Sequence, residues 1–156
     1  MSAADAADVA VGAEPVRVGW PAPVSDDHDS AGFWEAAARH RLVARVCAAC
    51  GTTLHLPRAR CVRCGSFDGS WEPRSGAGRL YSYTTVTHQV HPAFPVPYTV
   101  VLVELADDPA VRLVGTVDGA PPLTIGMPMH VTWEARGNGT VVPNWAPDEA
   151  HGGASA

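Results

Sequence analysis

The sequence has no lysine, so all eleven of its basic residues are arginines. Its net charge is −5 at pH 7, and an acidic balance argues against nucleic acid as the main partner. Aromatic residues make up only 7% of the chain, which leaves few rings that could stack on bases. We therefore do not expect nucleic acid to be the partner of this protein.

Long apolar stretches are also missing from the chain. No run approaches the roughly 20 apolar residues that a membrane-spanning helix needs. The first part, Met1 to Glu14, is acidic and lacks the basic start and the apolar stretch of a signal peptide. We therefore expect a cytoplasmic protein without membrane contact, and in the cytoplasm paired cysteines are more often metal ligands than disulfides.

Cysteine is scarce, but the four cysteines form two pairs of a metal-binding type. In each pair two residues separate the cysteines and a glycine follows, which can take the positive φ that completes a tight knuckle turn. Four thiolates fill the tetrahedral shell of one zinc ion and leave no position for water, so the zinc would be structural. The sequence thus predicts one structural zinc ion per chain, bound by Cys47, Cys50, Cys61 and Cys64.

The cysteine pattern alone also allows different chemistry. The four residues could form two disulfides, remain free thiols in a core, or hold iron in a rubredoxin-like site. His55 lies between the two pairs and could compete as a ligand. Since four cysteines are available, we expect His55 to be a surface or packing residue.

Outside the cysteine segment, the pattern predicts one helix followed by a mainly β fold. Asp29 or Ser30 can cap a helix that continues to Leu42, with Phe33 and Trp34 placed equally well in a core or at an interface. The later segments are β-rich, as in a small barrel or sandwich, and lie at residues 79–87, 98–105, 111–117, 129–135 and 140–145. In the third of them, Gly115 indicates a bulge or a close-packing point.

The chain divides accordingly into five parts. We expect a flexible leader at 1–19, an N-terminal helical segment at 20–45, a zinc ribbon at 46–73, a five-stranded domain at 74–147 and a flexible tail at 148–156.

Several short sequence words, in this order, carry a resemblance to a known family. They are Phe33-Trp34-Glu35-Ala36-Ala37, the two cysteine knuckles, Leu56-Pro57-Arg58, Gly78-Arg79-Leu80-Tyr81-Ser82-Tyr83-Thr84, His91-Pro92-Ala93-Phe94, Pro97-Tyr98, Val103-Glu104-Leu105 and Ile125-Gly126-Met127-Pro128. The succession resembles the acyl-CoA-associated zinc-ribbon/OB-fold family, long catalogued as a domain of unknown function. The resemblance covers residues 20–147 and implies that the five strands form an OB-fold barrel.

The resemblance also implies a function. Members of the family pair with thiolase-fold proteins that act on acyl-CoA thioesters, and help to shape their CoA channel. The partner would be an aldolase that cleaves steroid side chains, which is our specific expectation, or an acyltransferase. Some members are fused to a MaoC-like hydratase domain, and since none is present here we expect the stand-alone form or an excised domain.

Arginines near the cysteines are the candidates for binding CoA phosphates. Six of the eleven arginines lie between residues 39 and 63, where there is no acidic residue. Because guanidinium groups bind phosphate through paired hydrogen bonds, we place Arg58, Arg60 and Arg63 nearest to the phosphates of CoA. The alternative is that these arginines are solvated charges that offset the zinc thiolates.

The segment from His88 to Tyr98 is the second candidate surface. Its three prolines restrict φ and make it a stiff extended loop, which loses little entropy on binding a partner. His88, His91, Phe94 and Tyr98 would project from it toward a partner or a channel. The alternative is a long hairpin connection that folds against the barrel.

No convincing catalytic set is present in the sequence. The nearest pairing is His88 or His91 with an acid such as Glu104, so we assign the chemistry to a partner subunit. A second hypothesis is a single-stranded nucleic-acid-binding module that stacks bases on Tyr81 and Tyr83. A third is a purely structural adaptor that contacts no ligand.

Overall fold

The computed structural model describes the backbone of residues 16–17 and the chain from 19 to 148. This part contains one helix, α1 (Ala31–Ala37), and nine strands. The strands are β1 (Val16–Arg17), β2 (Val43–Cys47), β3 (Thr53–Leu54), β4 (Gly69–Pro73), β5 (Ala77–Val86), β6 (Tyr98–Leu105), β7 (Arg112–Asp118), β8 (Pro128–Arg136) and β9 (Val141–Pro147). None of the described residues belongs to a helix long and apolar enough to cross a membrane.

The helix is shorter than the sequence pattern predicts. It ends at Ala37, so the prediction that it continues to Leu42 is wrong. The reason is a chain reversal at His40, whose φ of 54° leaves the helical region and sends Leu42 into the core. Ser30 occupies the N-cap position, but its hydroxyl donates to Asp27 instead of capping a helix N–H, and accepts the indole N–H of Trp34.

Close contact between α1 and the ribbon depends on Gly32. A Cβ built at Gly32 would lie 2.1 Å from the indole nitrogen of Trp71 on β4. Gly32 therefore lets the helix approach the ribbon more closely than any residue with a side chain would. The sequence shows this glycine only as a weak point in the first helical turn.

The ribbon is a small antiparallel sheet that presents the cysteines at one end. β2 is its central strand and pairs with β3 on one side and β4 on the other. Cys47 is the last residue of β2, so the first knuckle begins where this strand ends. The strand itself starts at Val43, within the range expected for the helical segment.

The five C-terminal strands form the predicted OB-fold barrel, so the expected mainly β fold class is confirmed. β5, β6 and β7 pair in antiparallel order, β8 pairs with β5, and β9 pairs with β8. β7 lies beside β9, and Asn144 joins them by accepting the N–H of Thr116 at 2.6 Å. The core is packed from residues that are at most 1% exposed, among them Leu80, Val101, Val103, Leu105 and Met129.

Gly115 is a close-packing point and not a bulge. A Cβ at this position would lie 2.6 Å from both Asn144 Oδ1 and Trp145 Cδ1 of β9. The pairing of β6 with β7 is regular at Gly115, whereas the register shift of the barrel lies in β5 between Leu80 and Ser82.

A half-buried polar cluster fixes the ribbon on the barrel. Asp108, in the turn between β6 and β7, accepts hydrogen bonds from Thr53 of the ribbon at 2.7 Å and from Arg74 at 2.9 Å. Burial alone would raise the pKa of Asp108, but the bonds from Thr53 and Arg74 outweigh it and lower that pKa. The carboxylate therefore stays ionised and ties the two parts together.

The N-terminal end of the described chain also forms a short strand. Val16 and Arg17 pair in parallel with Ala135 and Arg136 of β8, inside the segment expected to be a flexible leader. The sequence pattern does not predict this strand. Residues 1–15, 18 and 149–156, which include most of the expected leader and tail, lie outside the described residues.

Replacing Gly32 by alanine tests the close approach of helix and ribbon. Alanine favours a helix by about 1 kcal/mol over glycine, so an unhindered helix would be stabilised. Because the added Cβ would overlap the Trp71 indole, we expect Gly32→Ala to lower the free energy of unfolding by about 1–3 kcal/mol. Urea unfolding followed by tryptophan fluorescence measures this change.

A double-mutant cycle supplies the control. In a Trp71→Leu background the obstructing ring is absent, and Gly32→Ala should be neutral or stabilising there. If alanine destabilises both backgrounds equally, the indole is not the obstacle.

Candidate metal centre and adjoining ligand surfaces

The four cysteine sulfurs converge on one point with the spacing of a tetrahedral metal site. The Sγ atoms of Cys47 and Cys64 are 3.6 Å apart, and those of Cys50 and Cys61 are 3.7 Å apart. All four ligand atoms lie within 4.8 Å of one another. A tetrahedron with zinc–sulfur bonds of about 2.3 Å has sulfur–sulfur edges of about 3.8 Å, so the cluster fits one zinc ion.

The two glycines after the cysteine pairs complete the knuckles as predicted. Gly51 and Gly65 have φ angles of 69° and 80°. Each donates its N–H to the carbonyl of the first cysteine of its pair, at 2.9 Å in both knuckles. The tight turn brings both sulfurs of each pair to the same side, where they can share one ion.

Local hydrogen bonds favour the metal-binding thiolate form at two of the four cysteines. Thr52 lies 3.2 Å from Cys50 Sγ, and its side-chain and backbone hydrogen bonds lower the pKa of this thiol to about 6. The backbone N–H groups of Cys64 and Arg63 lower the pKa of Cys61. The thiolate is the metal ligand, so these bonds favour binding at Cys50 and Cys61. At Cys64 the backbone bond of Ser66 lowers the pKa, but the hydrogen bonds with the Cys47 and Cys50 side chains outweigh it and raise the pKa to about 11.

His55 is not part of the cysteine cluster. Its Nε2 lies 2.6 Å from the backbone carbonyl of Arg112 on β7, so the ring links the ribbon to the barrel. Among the described residues of this segment, the side chains close enough together to hold one metal ion are those of the four cysteines. His55 therefore has the packing role expected for it.

The three candidate arginines surround a shallow hollow beside the second knuckle. This arginine hollow has a volume of about 890 Å³, and Arg58, Arg60 and Arg63 lie on its rim. Arg60 donates to the carbonyl of Gly65 at 3.2 Å. The side chains of Arg58 and Arg63 are exposed and form no hydrogen bond or ion pair with any residue in the described ranges.

A deeper, mostly apolar groove adjoins the arginine hollow. The apolar groove has a volume of about 820 Å³ and lies between α1, the ribbon and strands β7 and β9. Both cavities are lined by Asp29, Leu56 and Pro57, so they adjoin at these residues. Sequence reasoning missed the groove because its walls come from segments that are distant in the chain and meet only on folding.

The segment from His88 to Tyr98 is partly folded against the protein. His88 and His91 are exposed, whereas Phe94 is half-buried with its ring centroid 4.4 Å from that of Trp20. The Phe94 ring also lies 6.0 Å from His91 and 6.1 Å from Tyr98. Phe94 thus does not project freely from the loop, and Trp20, which the sequence did not single out, completes the cluster.

The acid proposed to pair with a loop histidine is engaged elsewhere. Glu104 forms an ion pair with Arg112 at 2.8 Å and not with His88 or His91. The same Arg112 guanidinium lies 3.7 Å from the ring centre of Tyr81, so one face of this exposed tyrosine is already covered.

Metal analysis of two variants tests the assignment of ligands. We expect about one zinc ion per chain in the unaltered protein and little or none in Cys61→Ser, because a structural site needs all four thiolates. The matched control is His55→Ala, which should retain its zinc. Zinc is measured by mass spectrometry on dialysed protein, and loss of the ion from His55→Ala would make the histidine a ligand.

Two curated bacterial proteins are similar to this chain. It is 44% identical over 109 residues to the probable enoyl-CoA hydratase alpha subunit of Thermomonospora curvata, across 69% of this chain and 34% of that protein. It is 30% identical over 128 residues to the 3-oxo-4,17-pregnadiene-20-carboxyl-CoA hydratase alpha subunit of Mycobacterium tuberculosis, across 80% of this chain and 40% of that protein. The chain thus spans less than half of the length of either relative.

A solved structure and two family models agree with these similarities. A chain of the Ltp2-ChsH2(DUF35) aldolase is 40% identical, with a TM-score of 0.73, and the match covers 81% of this chain and 98% of that one. The model of the ChsH2 rubredoxin-like zinc ribbon domain matches residues 34–68, and that of the ChsH2 C-terminal OB-fold domain matches residues 71–134. The resemblance seen in the sequence is confirmed: the chain belongs to the ChsH2 (DUF35) family of zinc-ribbon/OB-fold proteins.

Proposed function

We propose that this chain is a non-catalytic accessory subunit that binds a thiolase-fold partner acting on acyl-CoA thioesters. The reaction of the complex is a retro-aldol cleavage in steroid side-chain degradation. The partner would break a carbon–carbon bond of a β-hydroxyacyl-CoA and release a ketone or aldehyde with a shorter CoA ester. An acyltransferase is the alternative partner.

The observation that carries this proposal is the likeness to the Ltp2-ChsH2(DUF35) aldolase, which extends over 98% of the matched chain. The name of the Mycobacterium tuberculosis relative adds a CoA thioester of a steroid acid as the substrate class. Since this chain covers 40% of that relative, its hydratase activity is not carried over. The region that this chain shares with these two proteins supports an accessory role beside an enzyme that acts on acyl-CoA.

The arginine hollow supports a contact with the phosphates of CoA. If the arginines only offset the zinc thiolates, their side chains would be expected to bond to the knuckles, as Arg60 does through Gly65. Arg58 and Arg63 make no such bond within the described chain, and their donors are available to an anion. Guanidinium groups suit phosphate because they bind it through two parallel hydrogen bonds.

The loop from His88 to Tyr98 supports a contact with the partner protein. Phe94 anchors the loop by packing against the ring of Trp20 and lies beside Tyr98, while His88 and His91 remain exposed. A loop held in this way presents polar side chains with little loss of entropy on binding.

Nucleic-acid binding is favoured by the OB-fold, by the zinc ribbon and by the exposed ring of Tyr83. The Arg112 guanidinium covers one face of Tyr81, which reduces the ring surface that could stack on a base. The net charge of −5 also opposes binding to a phosphate backbone. We therefore retain the accessory-subunit proposal.

Purification of the complex from its own cells tests this proposal. We expect a tagged chain to recover a thiolase-fold protein in near-equal amount, identified by mass spectrometry, because the two would form one enzyme. Recovery of the chain alone, or with nucleic acid, would contradict the accessory role.

Substitution of two arginines tests the phosphate contact. In the assembled complex, the double variant Arg58→Ala with Arg63→Ala should bind CoA about tenfold more weakly, since charge-assisted hydrogen bonds contribute about 1.5–3 kcal/mol when shielded and less at the surface. Arg41→Ala is the matched control because this exposed arginine lies outside the hollow. Calorimetric titration measures the affinity of both variants for CoA. Unchanged affinity in the double variant would contradict the phosphate contact and favour a purely structural adaptor.

A further inference from the structure

The apolar groove is built to hold an apolar group of considerable size. Its floor includes the buried side chains of Val43 and Leu54, and Phe33 and Trp34 form part of the wall on the helix side. Val114 of β7 is 63% exposed and stands at the open side. The volume of about 820 Å³ lies within the range of about 300–1,000 Å³ that is typical of small-molecule sites.

Most charged groups along the groove already have protein partners, although Arg45, which also lines it, donates to the carbonyl of Phe67 and keeps a buried Nε without a hydrogen-bond partner among the described residues. The carboxylate of Asp27 accepts bonds from the Ser30 hydroxyl and the Asp29 N–H, and Asp29 accepts the N–H of Ala59 at 2.8 Å. Arg136 is paired with Glu134. A ligand in the groove therefore meets mainly hydrocarbon and aromatic surface, and an apolar ligand fits it best.

The adjoining arginine hollow is lined by basic side chains, and these indicate the chemistry of the rest of the ligand. Arg58 and Arg63 present guanidinium groups there that have no partner among the described residues, and Leu56 and Pro57 belong to the walls of both cavities. One molecule long enough to pass these shared residues would therefore contact both cavities. Charge and polarity together indicate an amphiphile with a phosphorylated head and an apolar tail.

We infer that the apolar groove binds the acyl group of a CoA thioester whose phosphates contact Arg58 and Arg63. The identification of the head as CoA rests on the proposed function. The groove itself would make this chain a determinant of acyl specificity, selecting bulky apolar acyl groups over acetyl. This goes beyond scaffolding a partner, because the chain would contact the part of the substrate that differs between CoA esters.

A chain-length series on the isolated, zinc-loaded full chain tests this inference. Calorimetric titration compares CoA, acetyl-CoA and decanoyl-CoA, the last kept below its micelle concentration. Each buried methylene favours binding about fourfold, so partial burial of the tail should make decanoyl-CoA at least tenfold tighter than acetyl-CoA. Equal affinities for the three compounds would overturn the inference, whatever partner the chain is found to have.

Two matched tryptophan variants locate the tail. Val114→Trp fills the groove from an exposed position and should abolish the gain from the longer acyl chain while leaving the affinity for CoA unchanged. Ile125→Trp, at a residue 58% exposed and outside the groove lining, should keep the gain. Equal behaviour of the two variants would place the tail elsewhere and contradict the inference.

A lysophosphatidate with the same ten-carbon tail identifies the head group. Its phosphate and tail share the chemistry of acyl-CoA, but it lacks the nucleotide and the pantetheine arm. We expect it to bind at least tenfold more weakly than decanoyl-CoA, and equal affinity would refute CoA as the ligand. The partner is absent from these titrations. If the affinity rises with acyl-chain length but purification recovers no partner, the accessory role is contradicted and the acyl-binding groove is not.

Discussion

Four thiolates around one ion hold together a segment that has almost no apolar core of its own. The buried cluster of the ribbon contains only Cys47, Leu54 and Cys61, with Cys50 packed against it. Three short strands with such a core would not be stable, because too little apolar surface is removed from water. Metal binding supplies the missing free energy, and the ribbon then offers a fixed surface to the rest of the molecule.

That fixed surface determines how the remaining parts assemble. The helix packs closely against Trp71 because Gly32 has no side chain. Asp108 joins Thr53 of the ribbon to Arg74 near the start of the barrel. The apolar groove lies where these parts meet, and the arginine hollow lies beside the second knuckle. Both candidate ligand surfaces are therefore consequences of the folded ribbon, and the zinc ligands Cys61 and Cys64 themselves line part of the arginine hollow.

The sequence predicts what depends on local pattern and misses what depends on distant contacts. The spacing of the cysteines and the alternation in β5 to β9 are local, and the metal site and barrel follow from them. The end of the helix depends on the reversal at His40, and the position of Phe94 depends on Trp20, which lies far away in the chain. The apolar groove has no signal of its own because helix, ribbon and barrel each contribute one wall.

The central claim is that this chain completes an acyl-CoA enzyme whose chemistry resides in a thiolase-fold partner. It is tested most directly by the turnover of the purified partner on a steroid β-hydroxyacyl-CoA, with increasing amounts of this chain added. The account predicts little activity for either protein alone and a rate that rises to saturation at a fixed stoichiometry. A partner that is fully active alone, or a chain that cleaves the substrate without it, would contradict the account.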